Sequence, residues 1–260
     1  MRFISRHDDM KKYAVIVAGG SGVRMGTAVP KQFLLLHGKP VLWYTLDTFL
    51  GAYEDLDIIL VLSAEYLTAG RELADSTQAP RRIRIVAGGV TRYHSVSNGL
   101  QLIREECVIF VHDGVRCLMS RELVHRCYEQ ALRLGSAIPV IDCRDSVRLL
   151  GAGGAMPGGG GVKPGDGAGL AAAASEAMDR NRVKLVQTPQ TFLSSVLLPA
   201  YDKGYQEKFT DEATVVEASG GRIHLLEGED TNIKITMAPD LVVAEKIMEN
   251  SVSIREGGVA

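Results

Sequence analysis

The sequence predicts an α/β fold: a Rossmann-like, mostly parallel sheet flanked by helices, with a small protruding β-arm. Three observations lead there. Short apolar, β-branched runs recur along the chain. Patterns with apolar residues three and four positions apart lie between them. With 260 residues, 46% of them apolar, the chain is long enough to bury a full core as one domain. Continuous apolar strands separated by helices call for a parallel sheet covered on both faces.

Residues 1–12 mix Arg, His and Asp without an apolar core, so they are expected to be a flexible N-terminal extension and not a signal peptide. Residues 13–250 are expected to form a single domain. Strands are expected at 13–18, 56–62, 83–87, 108–112, 137–141, 185–187, 223–226 and 233–236. Pro40 suits a first helical position, followed by Val41, Leu42, Leu46, Phe49 and Leu50. A further helix carries Val96, Leu100 and Ile103 in register. Residues 121–134 place Leu123, Val124, Cys127, Ala131 and Leu134 on one face, and Pro239 opens a last helix with Leu241, Val242, Ala244, Ile247 and Met248. Between residues 151 and 169 sit ten of the chain's 28 glycines, with Pro157 and Pro164. Such a composition buries too little side chain to offset backbone ordering, so 151–174 reads as a flexible insertion. It interrupts an arm of about 143–187, whose strands are expected within 144–150 and 179–190.

The net charge of −2 provides no global basic field, which argues against a nucleic-acid partner. No apolar run approaches the roughly 18 residues of a membrane span. Cys107, Cys117, Cys127 and Cys143 show neither a C-x-x-C spacing nor a metal-finger pattern, and read as reduced thiols of a cytoplasmic protein.

The most informative stretch ends the first expected strand. Val15, Ile16 and Val17 lead into Ala18-Gly19-Gly20-Ser21-Gly22, then Arg24 and Lys31. Glycines let the backbone bend close to a ligand, and consecutive N–H groups in such a bend make an anion-binding concavity. Two cations beside it suit phosphate oxygens. The dinucleotide fingerprint fails on spacing, because its third glycine falls on Met25, and no glycine here is followed by the P-loop's Gly-Lys-Ser/Thr pattern. What remains resembles the signature loop of nucleotidyltransferases that build sugar nucleotides. The plain alternative is a tight turn whose charges face water; Arg24 and Lys31 together favour the phosphate site.

Further blocks follow. Gly88-Gly89-Val90-Thr91-Arg92-Tyr93-His94-Ser95 lies between an expected strand and a helix. His112-Asp113-Gly114-Val115-Arg116 sets an acid at a strand end, with an arginine three residues later. Then come Asp179-Arg180, Gln187-Thr188-Pro189-Gln190, Thr210-Asp211-Glu212 and Asn232-Ile233-Lys234. In this order the blocks closely resemble the 2-C-methyl-D-erythritol 4-phosphate cytidylyltransferases of the non-mevalonate isoprenoid pathway, from about residue 13 to residue 249.

The resemblance implies a nucleotidyltransferase-type fold and transfer of CMP from CTP to the phosphate of methylerythritol phosphate, with release of pyrophosphate. Such chemistry needs in-line positioning and neutralisation of charge. By motif match, Arg24 and Lys31 would stabilise the transition state, and Ala18, Gly19, Gly20, Ser21 and Gly22 would cradle the nucleotide. Gly89 and Ser95 match positions that hold the cytidine and its triphosphate. Asp113 matches the acid that holds Mg²⁺; read alone, it is also a carboxylate capping a loop. Arg180, Thr188 and Lys234 match residues that grip and orient methylerythritol phosphate, and Ser146 and Arg116 match lesser positions of that pocket. In the family the arm reaches a partner subunit, which implies a homodimer. Thr210 reads as a helix cap, with Asp211 and Glu212 favouring the helix's positive end. His112 packs or hydrogen-bonds beside Asp113 and is not expected to act as a base.

The chain departs from the common pattern at Val90, where an acid is frequent, and at Gly114-Val115-Arg116-Cys117, Asp145-Ser146-Val147-Arg148 and Val183-Lys184. Ribitol 5-phosphate cytidylyltransferases share the nucleotide loop and the later blocks, whereas Asp179-Arg180 with Ser146 favours methylerythritol phosphate. A non-catalytic nucleotide-binding protein on the same fold is disfavoured, since it would not need Arg24, Lys31, Asp113 and Lys234 together.

Overall fold

A computed structural model of the chain describes residues 10–20, 29–150 and 175–256, with side chains up to residue 250. The expected extension up to residue 9 and the insertion at 151–174 lie outside the described residues, as do Ser21, Gly22 and Arg24. In chain order come β1 (Lys11–Val17), a 3₁₀ turn (Lys31–Phe33), β2 (Leu35–Leu36), β3 (Lys39–Pro40), α1 (Val41–Ala52) and β4 (Leu56–Leu62). Next are α2 (Leu67–Asp75), β5 (Ile83–Ala87), α3 (Arg92–Leu100), β6 (Cys107–Asp113), α4 (Arg121–Leu134) and β7 (Ser136–Asp142). The remainder comprises β8 (Val147–Leu150), β9 (Ser175–Met178), β10 (Lys184–Val186), β11 (Gln190–Leu193), α5 (Ser194–Tyr201), α6 (Glu212–Ala218), β12 (Leu225–Glu227) and α7 (Ala238–Glu256). The chain divides into two compact units, Met1–Pro139 with Gln187–Ala260, and Val140–Val186.

In the first unit the sheet runs β7-β11-β6-β1-β4-β5. β6, β1, β4 and β5 are mutually parallel, and β11 runs antiparallel to both β6 and β7. Alternation along the strands builds two cores, one on each face. Ala14, Ile16, Ile58, Leu60, Val108 and Phe110 pack with α1 and α4, on one face. Tyr13, Val15, Ile59, Val61, Ile109 and Val111 pack with α3, α5 and α6 on the other. All seven residues of β6 are buried. Each fully buried Val, Leu or Ile contributes about 1.5–3 kcal/mol. Burial on both faces therefore outweighs any single turn preference and holds the strand ends in place. α4 begins at Ser120, whose hydroxyl accepts from Leu123 N–H, and stops at Gly135, where φ is +85°.

The second unit is smaller and wetter. β8 and β9 pair antiparallel, Val147 opposite Met178 and Leu150 opposite Ser175. β10 pairs antiparallel with the end of β7, Lys184 opposite Asp142 and Val186 opposite Val140. All of β9 and β10, and all of β8 but Val147, are exposed.

Several expectations need correction. Residues 233–236 form no strand, because Ile235 N–H reaches a single carbonyl, Val115 O at 3.1 Å, in a loop. Residues 190–193 do form one, and its wedge between β6 and β7 is a tertiary choice. Pro40 precedes α1 with an extended ψ of 142°, so the helix opens at Val41. Leu134 and Val242 are exposed, 48% and 59%. β1 starts at Lys11, inside the expected extension. Its neighbour Lys12 is buried because its ammonium meets Asp55 at 2.8 Å and lies over the Tyr53 and Tyr128 rings. The cap of α6 is Asp211 and not Thr210: Asp211 accepts from Thr214 N–H at 2.9 Å, and the Thr214 hydroxyl reaches back.

Candidate active site

Parallel strands deliver their carboxyl ends to one rim, and the rim holds a pocket of about 310 Å³. Each wall is set by local chemistry. Beyond β1, Ala18 N–H donates to Val61 O at 2.9 Å, and buried Gln32 donates to Ala18 O at 2.7 Å. These bonds pin the start of the glycine loop while Gly19 and Gly20 remain exposed; a Cβ on Gly20 would meet nothing within 4 Å. Lys31 opens the 3₁₀ turn after Pro30 and lines the same pocket.

Beyond β5 the chain folds tightly over the start of α3. A Cβ on Gly88 would come within 2.8 Å of Ser95 Oγ, and one on Gly89 within 2.4 Å of His94 Cβ. Only glycine fits there. Gly89 N–H donates to Ser95 Oγ at 3.1 Å, and the Ser95 hydroxyl donates to Thr91 O at 3.0 Å. Ser95 thus holds the turn that Gly89 and Val90 present to the pocket.

Asp113 ends β6. Its Oδ1 accepts from Arg92 Nε at 3.2 Å and its Oδ2 from Lys234 Nζ at 2.8 Å. Burial alone would raise its pKa, but Arg92 and Lys234, helped by Arg116, outweigh it and hold the carboxyl well below the usual range. Asp113 is ionised. Lys234 sits on the loop after β12, which is fastened at several points. Arg116 Nη1 donates to Asn232 O at 2.8 Å, Asn232 Nδ2 to Thr188 O at 2.9 Å, and Gln187 Nε2 to Glu229 O at 2.7 Å.

Behind Asp113 a chain of hydrogen bonds fixes its backbone. Asp113 N–H donates to Thr188 Oγ1 at 3.1 Å, Thr188 O–H to His112 Nδ1 at 3.0 Å, and His112 Nε2–H to Arg116 O at 3.1 Å. This order needs a neutral imidazole, and burial pushes His112 down to about 3. His112 is a structural link, in keeping with its exclusion as a base. Burial likewise raises the Cys107, Cys117 and Cys127 thiols to about 12, so they are inert packing groups.

The structure therefore brings Ala18, Gly19, Gly20, Lys31, Gly89, Ser95, Asp113 and Lys234 to one pocket. Thr188 and Arg116 stand behind it, with the Thr188 hydroxyl given to Asp113 and His112. Ser146 and Arg180 belong to the second unit, where both are exposed and Arg180 Nη1 donates to Arg144 O at 2.9 Å. Sequence reasoning missed Arg92 and Gln32, and read Glu212 as a helix-end charge. Glu212 is in fact wholly buried and takes Arg92 Nη1 and Nη2 at 2.6 and 3.0 Å. The available signal for Arg92 was its place in the glycine-rich block; nothing local linked it to Glu212.

A family model described as "IspD: 2-C-methyl-D-erythritol 4-phosphate cytidylyltransferase" matches residues 13–250. The chain is 42% identical over 239 residues to the 2-C-methyl-D-erythritol 4-phosphate cytidylyltransferase of Phocaeicola vulgatus, spanning 92% of this chain and 100% of that protein. The enzyme of the same name from Bacteroides fragilis is 43% identical over the same spans. Among solved structures, a 4-diphosphocytidyl-2C-methyl-D-erythritol synthase from Anaerococcus prevotii is similar with a TM-score of 0.76 at 25% identity, covering 94% of this chain and 98% of that one. A 2-C-methyl-D-erythritol 4-phosphate cytidylyltransferase from Thermus thermophilus gives 0.65 at 29% identity, covering 92% and 98%.

Proposed function

The chain belongs to the 2-C-methyl-D-erythritol 4-phosphate cytidylyltransferase family, and from that premise we propose how its residues carry the reaction. The activity is the CTP-dependent transfer of a cytidylyl group to 2-C-methyl-D-erythritol 4-phosphate in the non-mevalonate pathway. The phosphate oxygen of the acceptor attacks the α-phosphorus of CTP, the bond to the β-phosphate breaks, and pyrophosphate leaves. The observation that carries our assignment of the site is the meeting of Lys31, Arg92 and Lys234 with Asp113 at one pocket.

In this reading the backbone of Ala18–Gly22 receives the triphosphate, and Gly89 and Ser95 hold the nucleoside. Lys31 and Arg24 would neutralise charge on the transferring phosphoryl group, the one as a point charge and the other as a planar fork. Lys234 orients the attacking phosphate; its side chain is 41% exposed against 11% for Asp113, so Lys234 is the partner able to swing. Arg180 and Ser146 would grip the phosphate of an acceptor. Thr188 and Arg116 serve it indirectly, by setting Asp113 and the Lys234 loop.

Among the described residues no group of three or more His, Cys, Asp or Glu could cage a metal. Asp113 instead offers one ionised carboxylate, and each of its oxygens accepts from one cationic group, so lone pairs remain. That donor set fits Mg²⁺ held largely by phosphates and water, with one protein oxygen. When bound, the ion would neutralise charge on the triphosphate. The exposed Leu149, Leu150 and Met178 on the β8–β9 pair support a second copy of the chain as partner, giving a homodimer through the arm. Purified protein with CTP, Mg²⁺ and methylerythritol phosphate should release pyrophosphate, and ribitol 5-phosphate should support this far more slowly. Equal or reversed rates would reject the acceptor.

A further inference from the structure

Arg92 lines the phosphate pocket, yet each nitrogen of its guanidinium meets a carboxylate oxygen. Nε faces Asp113 Oδ1 at 3.2 Å, while Nη1 and Nη2 face the two oxygens of Glu212 at 2.6 and 3.0 Å. Glu212 is 0% exposed and is itself anchored. The Tyr201 hydroxyl donates to its Oε1 at 3.0 Å, and Tyr201 stacks on Tyr93 with ring centroids 4.6 Å apart. Asp211 caps the helix that Glu212 opens.

A buried carboxylate with a bidentate arginine is a rigid pair, because a planar fork gripped at two points cannot turn. The third donor of that fork is then aimed at a fixed place, and Asp113 occupies it. One oxygen of Asp113 is tied to immobile Arg92; the other faces Lys234 and the pocket. Glu212 also offsets the charge of Arg92. Without it, Arg92 would become another cation in a pocket built for a triphosphate, free to bind substrate and product pyrophosphate equally. Such binding tightens the ground state without speeding the transfer.

We propose that Glu212 and Arg92 are positioning residues for the transfer: Glu212 locks Arg92, and Arg92 sets the carboxylate edge that Asp113 turns toward Lys234 and the substrates. The assignment rests on the cytidylyl-transfer reading of this pocket. Glu212 reaches the reaction only through Arg92.

The test is steady-state kinetics of full-length wild type, Glu212→Gln and Arg92→Lys with CTP, Mg²⁺ and methylerythritol phosphate, rates normalised to folded protein. Glu212→Gln keeps the shape and removes the charge; Arg92→Lys keeps a charge but has no planar fork to grip both oxygens of Glu212 while a third donor reaches Asp113. Both variants should lose at least tenfold in kcat with no rise in the KM for CTP, and pyrophosphate should inhibit Glu212→Gln at lower concentration than wild type. A merely structural role would lower the folded fraction and leave kcat per folded molecule intact. Retention of kcat within twofold in either folded variant overturns the proposal, as does a loss carried by KM alone. Should Glu212→Gln not fold, Arg92→Lys reads the same quantity. A wild type that does not turn over methylerythritol phosphate sinks the functional reading itself, whereas an active wild type with unaffected variants sinks the positioning role alone.

Discussion

The rim around Asp113 and the strands β8–β10 are built on opposite principles. At the rim Asp113 ends a strand that is buried along its whole length, and it is held by Arg92, Lys234 and the Thr188–His112 chain. In the second unit the strands are short and almost wholly exposed, and Arg180 touches a carbonyl of its own unit. Rigid preorganisation is what charge stabilisation needs, since groups that do not reorganise during the reaction act most strongly. In the proposed reading, transfer at the rim and the grip of Arg180 on the acceptor are separable, and single substitutions should separate them.

The largest effect should come from the rim. Lys31→Ala should lower kcat by about 10²–10³-fold, the scale of removing a preorganised group from a developing charge; single-turnover rates check it, and an unchanged rate would take Lys31 out of the chemistry. Next in size is the second unit. Arg180→Ala should raise the KM for methylerythritol phosphate about tenfold, the loss of one charged contact to a phosphate. Because Arg180 is exposed, its thermal midpoint should stay put. A fall in kcat with KM unchanged would erase the division between the regions.

The smallest effect concerns the support behind Asp113. Burial lowers the His112 pKa from 6.5 to about 3, so below pH 6.5 the unfolded chain binds a proton that the folded chain refuses. Unfolding then takes up a proton, and this contribution to stability is complete above about pH 6.5 and lost as pH falls toward 3. Urea midpoints between pH 7.5 and 4.5 should fall more for wild type than for His112→Gln. Parallel falls would place the acid sensitivity elsewhere.

Much of the site was legible because its parts are local. The glycine loop before Lys31, the tight Gly88–Gly89 turn and the acid ending β6 each follow from a strand run into chemistry that a short segment can encode. Strands 56–62 and 83–87 matched to the residue for the same reason. Elements that depend on distant partners were misread. Residues 190–193 became a strand because they fill a slot between β6 and β7, while 233–236, though richer in β-branched residues, found a loop. Lys12 looked like part of a solvated tail until two aromatic rings and Asp55 gathered around it.

By itself the sequence determined the layered α/β core and the glycine-rich turns and acid that follow its strands, since periodicity and turn chemistry act over a few residues. Tertiary structure decided which charges are answered. Arg92 and Glu212 lie 120 positions apart, and only the meeting of the start of α3 with that of α6 makes them a pair. Thr188 meets the backbone of Asp113, because β11 runs back along β6 and brings the preceding loop there. Hydrogen bonds and ion pairs are strong only at contact distance, and contact between distant segments belongs to the fold.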